Sequence, residues 1–129
     1  MKTNIDINEK WIIGGGKTKA GTNRRVPIHP KILHLVRRYY ENGDSVYLFK
    51  DPEYENYRKR FHTAIKHMGL DKAHTPHDCR VRFVTMAKNA GCDEYAIKRL
   101  VGHVIEDLTE RVYTKRDFSW IRDELEKIK

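Results

Sequence analysis

The chain has 129 residues, 34% of them charged, and its 26 Lys and Arg against 18 Asp and Glu give a net charge of +8. That is one domain's length, enough to bury about two thirds of the unfolded surface without metal or disulfide staples. MKTNIDINEK has no apolar signal core and no run approaches the ~18 apolar residues of a membrane span, so secreted and membrane-spanning classes are excluded and a cytoplasmic protein is expected. The cation surplus predicts a polyanionic partner, because Lys and Arg beside phosphates release condensed counterions.

Chain order gives an α+β, mainly α, pattern. Ile5 and Ile7 alternate with polar residues, and Trp11-Ile12-Ile13 is a short apolar run before Gly14-Gly15-Gly16. With Arg24-Arg25-Val26-Pro27-Ile28 beyond the turn-like Ala20-Gly21-Thr22-Asn23, it predicts a β-hairpin with a cationic tip. Pro30 opens a helix with Ile32, Leu33, Leu35, Val36, Tyr39 and Tyr40 on a broad stripe, closed by Gly43. Val46 to Phe49 is expected as a short strand. After Pro52, Tyr54, Tyr57, Phe61, Ile65 and Met68 fall at steps of three and four up to Gly69, the clearest amphipathic helix of the chain.

Asp71 to Pro76 is expected as a loop, followed by a helix from His77 with Val81, Val84 and Ala87 to a stop at Gly91. A shorter helix from Asp93 to Val101 ends at Gly102. Ile105 to Val112 is expected as loop or broken helix, and Asp117 caps a last helix with Phe118, Ile121, Leu125 and Ile128 on one face. Cys79 and Cys92 form neither a disulfide framework nor a CxxC pattern and are expected as reduced, semi-buried core thiols.

His77, Arg80, His103 and Tyr113 stand out as a set, in TPHDCR, LVGH and ERVYTKRD. Singly, each has an ordinary reading: His77 a helix cap, Arg80 an ion pair with Asp78, Tyr113 a buried aromatic. Jointly, in a basic domain, they suit attack on a phosphodiester. Its negative charge repels nucleophiles, so metal-free cleavage needs preorganised cations and donors around the phosphoryl oxygens. Arg80 offers a planar fork that stays charged and grips two oxygens. His77, one helical turn earlier, can donate a second bond or move a proton. His103, following a glycine, can be aimed at the same phosphate. Tyr113 offers an oxygen that attacks and stays attached, dividing one hard step into two. The leaving sugar oxygen needs a proton, and a lysine at the hairpin tip, Lys17 or Lys19, suits that role. His74, His77 and Cys79 have some metal-site spacing, but Pro76 intervenes and no second ligand cluster accompanies them, so no metal is expected.

These motifs resemble the C-terminal part of the catalytic domain of the tyrosine recombinase (phage integrase) family, in the style of integrases of bacterial mobile elements. KTKAGTNRRVPIHP resembles the family's hairpin with its catalytic lysine, TPHDCR its His-x-x-Arg box, LVGH its third basic box and RVYTK its nucleophile box. The resemblance implies site-specific recombination of double-stranded DNA without cofactor, in a tetramer of recombinase subunits, with a cytoplasmic, nucleoid-associated location. Tyr113 would form a 3′-phosphotyrosine and release a 5′-hydroxyl, with Arg80 and His77 holding the phosphate and His103 donating to it. Lys17 would be the acid, with Lys19 the alternative. Lys17, Lys19, Arg24, Arg25 and Arg82 would grip DNA.

Two departures accompany the match. Val81 follows the arginine where a second histidine is usual, and the sequence has no Gly-x-Arg-x-x-Glu signature of the family's first arginine. The expected organisation is therefore a partial catalytic domain over 1–129: hairpin 1–29, helical core 30–112, nucleophile segment and last helix 113–129. Loss of one fixed charge at a phosphoryl transition state costs roughly 3 kcal/mol, so little recombination by this chain alone is expected. The alternative is a non-catalytic DNA-binding remnant.

Overall fold

The computed structural model describes residues 1–14, 22–42, 45–49, 53–105 and 117–129. A three-stranded antiparallel sheet is followed by five α-helices among the described residues, which is the expected α+β, mainly α architecture. After a 3-10 turn at Lys2–Asn4 come β1 (Ile5–Asp6), β2 (Trp11–Gly14) and β3 (Arg24–Pro27), in the spatial order β1-β2-β3. Trp11 faces Pro27 and Gly14 faces Arg24 across the β2–β3 ladder, so the expected hairpin forms. Its tip, with Lys17 and Lys19, lies outside the described residues.

The helices are α1 (Pro30–Glu41), α2 (Tyr54–His67), α3 (Pro76–Asn89), α4 (Glu94–Val101) and α5 (Phe118–Glu126). Local chemistry sets their ends. His29 accepts from the Lys31 amide ahead of Pro30. Thr75 and Asp78 make a capping box around Pro76, so α3 begins one residue earlier than expected. Asp93 accepts from the amides of Tyr95 and Ala96, and Asp117 accepts from that of Trp120. The chain leaves α2, α3 and α4 through Gly69, Gly91 and Gly102, all with positive φ, as the sequence stops predicted.

The core gathers on α4 and α5. Tyr95, Ala96 and Leu100 pack with Ile121 and Leu125, and Val26, Phe83, Ile105, Trp120 and Ile128 close around them. A second cluster joins Ala87, Cys92 and Ile97. The last helix thus covers its own domain. Its buried Glu124 accepts from the Asp93 amide at 2.8 Å and from Lys127 Nζ at 2.7 Å, and His29 Nε2 bonds the Ile128 carbonyl at 3.0 Å.

Two expectations need correction, the strand at Val46 to Phe49 and the burial of Cys79. Val46 to Phe49 is a series of bends rather than a strand: its one described backbone bond is from the Lys2 amide to the Val46 carbonyl, too little for a ladder. The stripes on α1 and α2 are genuine but largely uncovered. No α1 residue is buried, and on α2 only Ile65 is, while Ile32, Leu35, Tyr39, Tyr54, Tyr57 and Met68 stay exposed. Of the cysteines, Cys92 is buried but Cys79, in the first turn of α3, is exposed. Among the described residues, no helix is long and apolar enough to cross a membrane.

Candidate active site

The capping box fixes where α3 begins and so where the two candidate residues His77 and Arg80 lie. Asp78 Oδ2 accepts from the Thr75 amide at 2.8 Å and bonds His74 Nδ1 at 3.3 Å. Those bonds hold its carboxyl below the usual carboxylate range, the Thr75 amide contributing most and His74 next. Asp78 is thereby occupied with the helix start, and the ion pairs among the described residues do not include one with Arg80. His77 is exposed at the second helical position.

Arg80 lies one turn further along, half-buried, and its Nη2 donates to the Val101 carbonyl. That carbonyl belongs to the last residue of α4, where orphan carbonyls carry the negative end of the helix dipole. The bond joins the TPHDCR segment to LVGH, so Arg80 and His103 belong to neighbouring pieces of backbone. The His103 amide bonds the Lys98 carbonyl at 3.0 Å, which closes the α4 terminus and leaves the imidazole exposed. One donor of Arg80 is thus committed to positioning, and a guanidinium has five.

Cations collect around this junction. Arg24, on β3, shares its strand face with Val26, which packs on the core, because alternate residues point the same way. Its guanidinium therefore turns inward and fills the space that a Cβ on Gly102 would occupy. Burial holds the Arg24 pKa below its usual value, and the nearby charges of Arg80 and Arg99 lower it further. Arg25, on the opposite strand face, lies over the Trp11 ring at 4.8 Å. Arg82 is exposed on α3, and so is Val81.

The sequence reading missed Arg99 and placed Arg24 only among peripheral DNA grips. A signal existed in both cases: Arg99 is one turn before the terminating glycine, and Arg24 is two residues from inward-facing Val26. Tyr113, Lys17 and Lys19 fall outside the described residues. No group of three or more metal-ligating side chains occurs among the described residues, and His74 is engaged with Asp78.

A basic, mainly helical domain that clusters guanidinium groups at one helix terminus has the build of a phosphate-handling protein. The chain matches the model described as the Phage integrase family over residues 2–119 and belongs to that family. Its members are tyrosine recombinases, which act on DNA in site-specific recombination. No curated protein and no solved structure matches the chain.

Proposed function

We propose that the chain contributes the phosphate-binding and nucleophilic groups of a site-specific recombinase acting on double-stranded DNA in the cytoplasm, within an assembly of recombinase subunits. Tyr113 Oη gives its phenolic proton to His77 and attacks the scissile phosphorus, the bond from phosphorus to the 5′ oxygen breaks, and a 3′-phosphotyrosine forms. Lys17, with Lys19 as the alternative, gives the leaving oxygen its proton. Arg80 holds two phosphoryl oxygens, and His77 and His103 donate to the phosphate. Preorganised donors of this kind stabilise the spread charge of the transition state without metal. Arg25, Arg82 and the hairpin lysines grip the flanking backbone, where each phosphate contact adds to the salt dependence of binding.

The observation that carries this reading is the Arg80 to Val101 bond, which brings the α3 box and the LVGH box together. The test is a duplex nicked next to the scissile phosphate. Incubation should give a protein–DNA adduct that survives denaturation and disappears in Tyr113→Phe. Salt-sensitive binding without any adduct would instead support a DNA-binding role alone, for which the net charge of +8 is sufficient.

A further inference from the structure

The Arg24 guanidinium is costly to place where it lies. It is half-buried, its Nε is shielded from solvent without a hydrogen-bond partner among the described residues, and Arg80 and Arg99 are close enough to repel it. A buried donor left unpaired costs free energy, and like charges brought together add to the cost. The carbonyls at the end of α4 offset part of this through the helix dipole. They leave the Arg24 Nε donor unused.

We propose that Arg24 and Arg80, flanking Gly102 with Arg99 beside them, form a binding site for one phosphate group, which on DNA is the scissile phosphodiester. This rests on the recombinase reading for the identity of the phosphate but not for the site itself. Gly102 supplies the room: without a side chain there, the Arg24 guanidinium approaches the backbone between the Val101 carbonyl held by Arg80 and the amide of His103. A cavity of about 330 Å³ opens beside it, lined by Asn23, Arg24, Arg25, Arg99, Asp117 and Phe118. Among the described residues Asp117 is the one carboxylate in that wall, and its side chain is engaged by the Trp120 amide and the Ser119 hydroxyl. Arg24 and Arg99 therefore face one committed carboxylate in the cavity, with Arg80 across the glycine and the Arg25 guanidinium turned away over Trp11. A phosphate dianion or diester supplies the acceptor atoms that this cluster lacks. Arg24 thereby becomes a second fixed fork on the phosphate, and not one of the outer contacts that track the DNA backbone.

The test titrates the whole chain with inorganic phosphate at constant ionic strength, following the Arg24 Nε–H and the Gly102 and His103 amide resonances, and repeats the titration with duplex DNA. Saturable shifts at all three positions are expected with both ligands. Arg24→Gln should weaken phosphate binding at least about tenfold, as loss of a charged hydrogen-bonding partner does. Arg24→Lys should recover part of it, and the α2 surface variant Lys59→Gln should bind as the parent does. Shifts with DNA alone would mean that the residues touch the duplex without forming a site for a single phosphate, and would overturn the proposal. So would an Arg24 Nε–H that ignores both ligands, or phosphate binding by Arg24→Gln equal to that of Lys59→Gln. Should Arg24→Gln fail to fold, the resonance shifts of the unmodified chain decide. Phosphate binding without a Tyr113-dependent adduct would sink the recombinase reading and keep the site.

Discussion

Arg80 donates to the carbonyl of Val101, and this single bond couples the middle of the chain to the end of α4. On the proposed reading the arginine has a chemical duty beside this structural one, and the two separate on substitution. Arg80→Lys keeps a charge but loses the fork that serves the carbonyl and a phosphate together. Unfolding in urea should show a loss of about 1 kcal/mol for that hydrogen bond. Adduct formation on nicked DNA should fall about a hundredfold or more. Equal stability and equal adduct yield in Arg80→Lys would show that the bond positions nothing.

Gly102 answers two demands at once. Its φ of +72 is the left-handed conformation that costs a side chain roughly 1–2 kcal/mol, and its missing Cβ makes room for Arg24. Gly102→Ala should destabilise the chain by more than the backbone term alone. Combined with Arg24→Ala it should lose the excess, giving a coupling of at least about 0.5 kcal/mol in a double-mutant cycle. Strict additivity would mean the two residues do not share the space.

Asp78 gives α3 a start that responds to acid. Its folded pKa is depressed, chiefly by the Thr75 amide and then by His74. The stability it contributes is therefore complete above the unfolded carboxylate value of about 4 and is lost as pH falls through the lower folded value. The difference in stability between the parent and Asp78→Asn should close as pH falls from about 5 into stronger acid. A difference that persists unchanged into strong acid would remove Asp78's charge from the account.

Much of this was legible because the signals are local. Gly69, Gly91 and Gly102 mark helix exits that need positive φ, and Asp93 and Asp117 mark helix entries by the reach of a carboxylate to the next amides. Non-local facts were less so. The apolar content of Val46 to Phe49 suggested a strand, but a strand needs a partner ladder, which no short run announces. The stripe on α2 predicted a helix correctly and said nothing of what would cover it. Arg24 looked like any hairpin cation until β3 was seen to direct it, with Val26, toward the end of α4.

The two thiols should be chemically distinct. Cys79 is exposed, whereas Cys92 is buried and donates to the Glu124 carbonyl at 3.1 Å, and burial, then the Glu124 charge, push its pKa up. A disulfide reagent should titrate one thiol rapidly in the native protein, and Cys79→Ser should abolish that phase. The second should react only on unfolding. Two rapid thiols in the native protein would place Cys92 outside the core.

The carboxylate of Glu124 reaches across from α5 to the amide that opens α4, while Ile121 and Leu125 share a core with Tyr95 and Leu100. Opening the last helix therefore strips the helix whose far end carries Gly102 and the carbonyl held by Arg80. In hydrogen-exchange terms, α4 and α5 should form one foldon, with amides at both ends of α4 sharing the opening free energy of the C-terminal helix. The last helix is then a clasp on the junction of α3 and α4, and a lesion at Glu124 reaches the carbonyl held by Arg80 from the far end of α4.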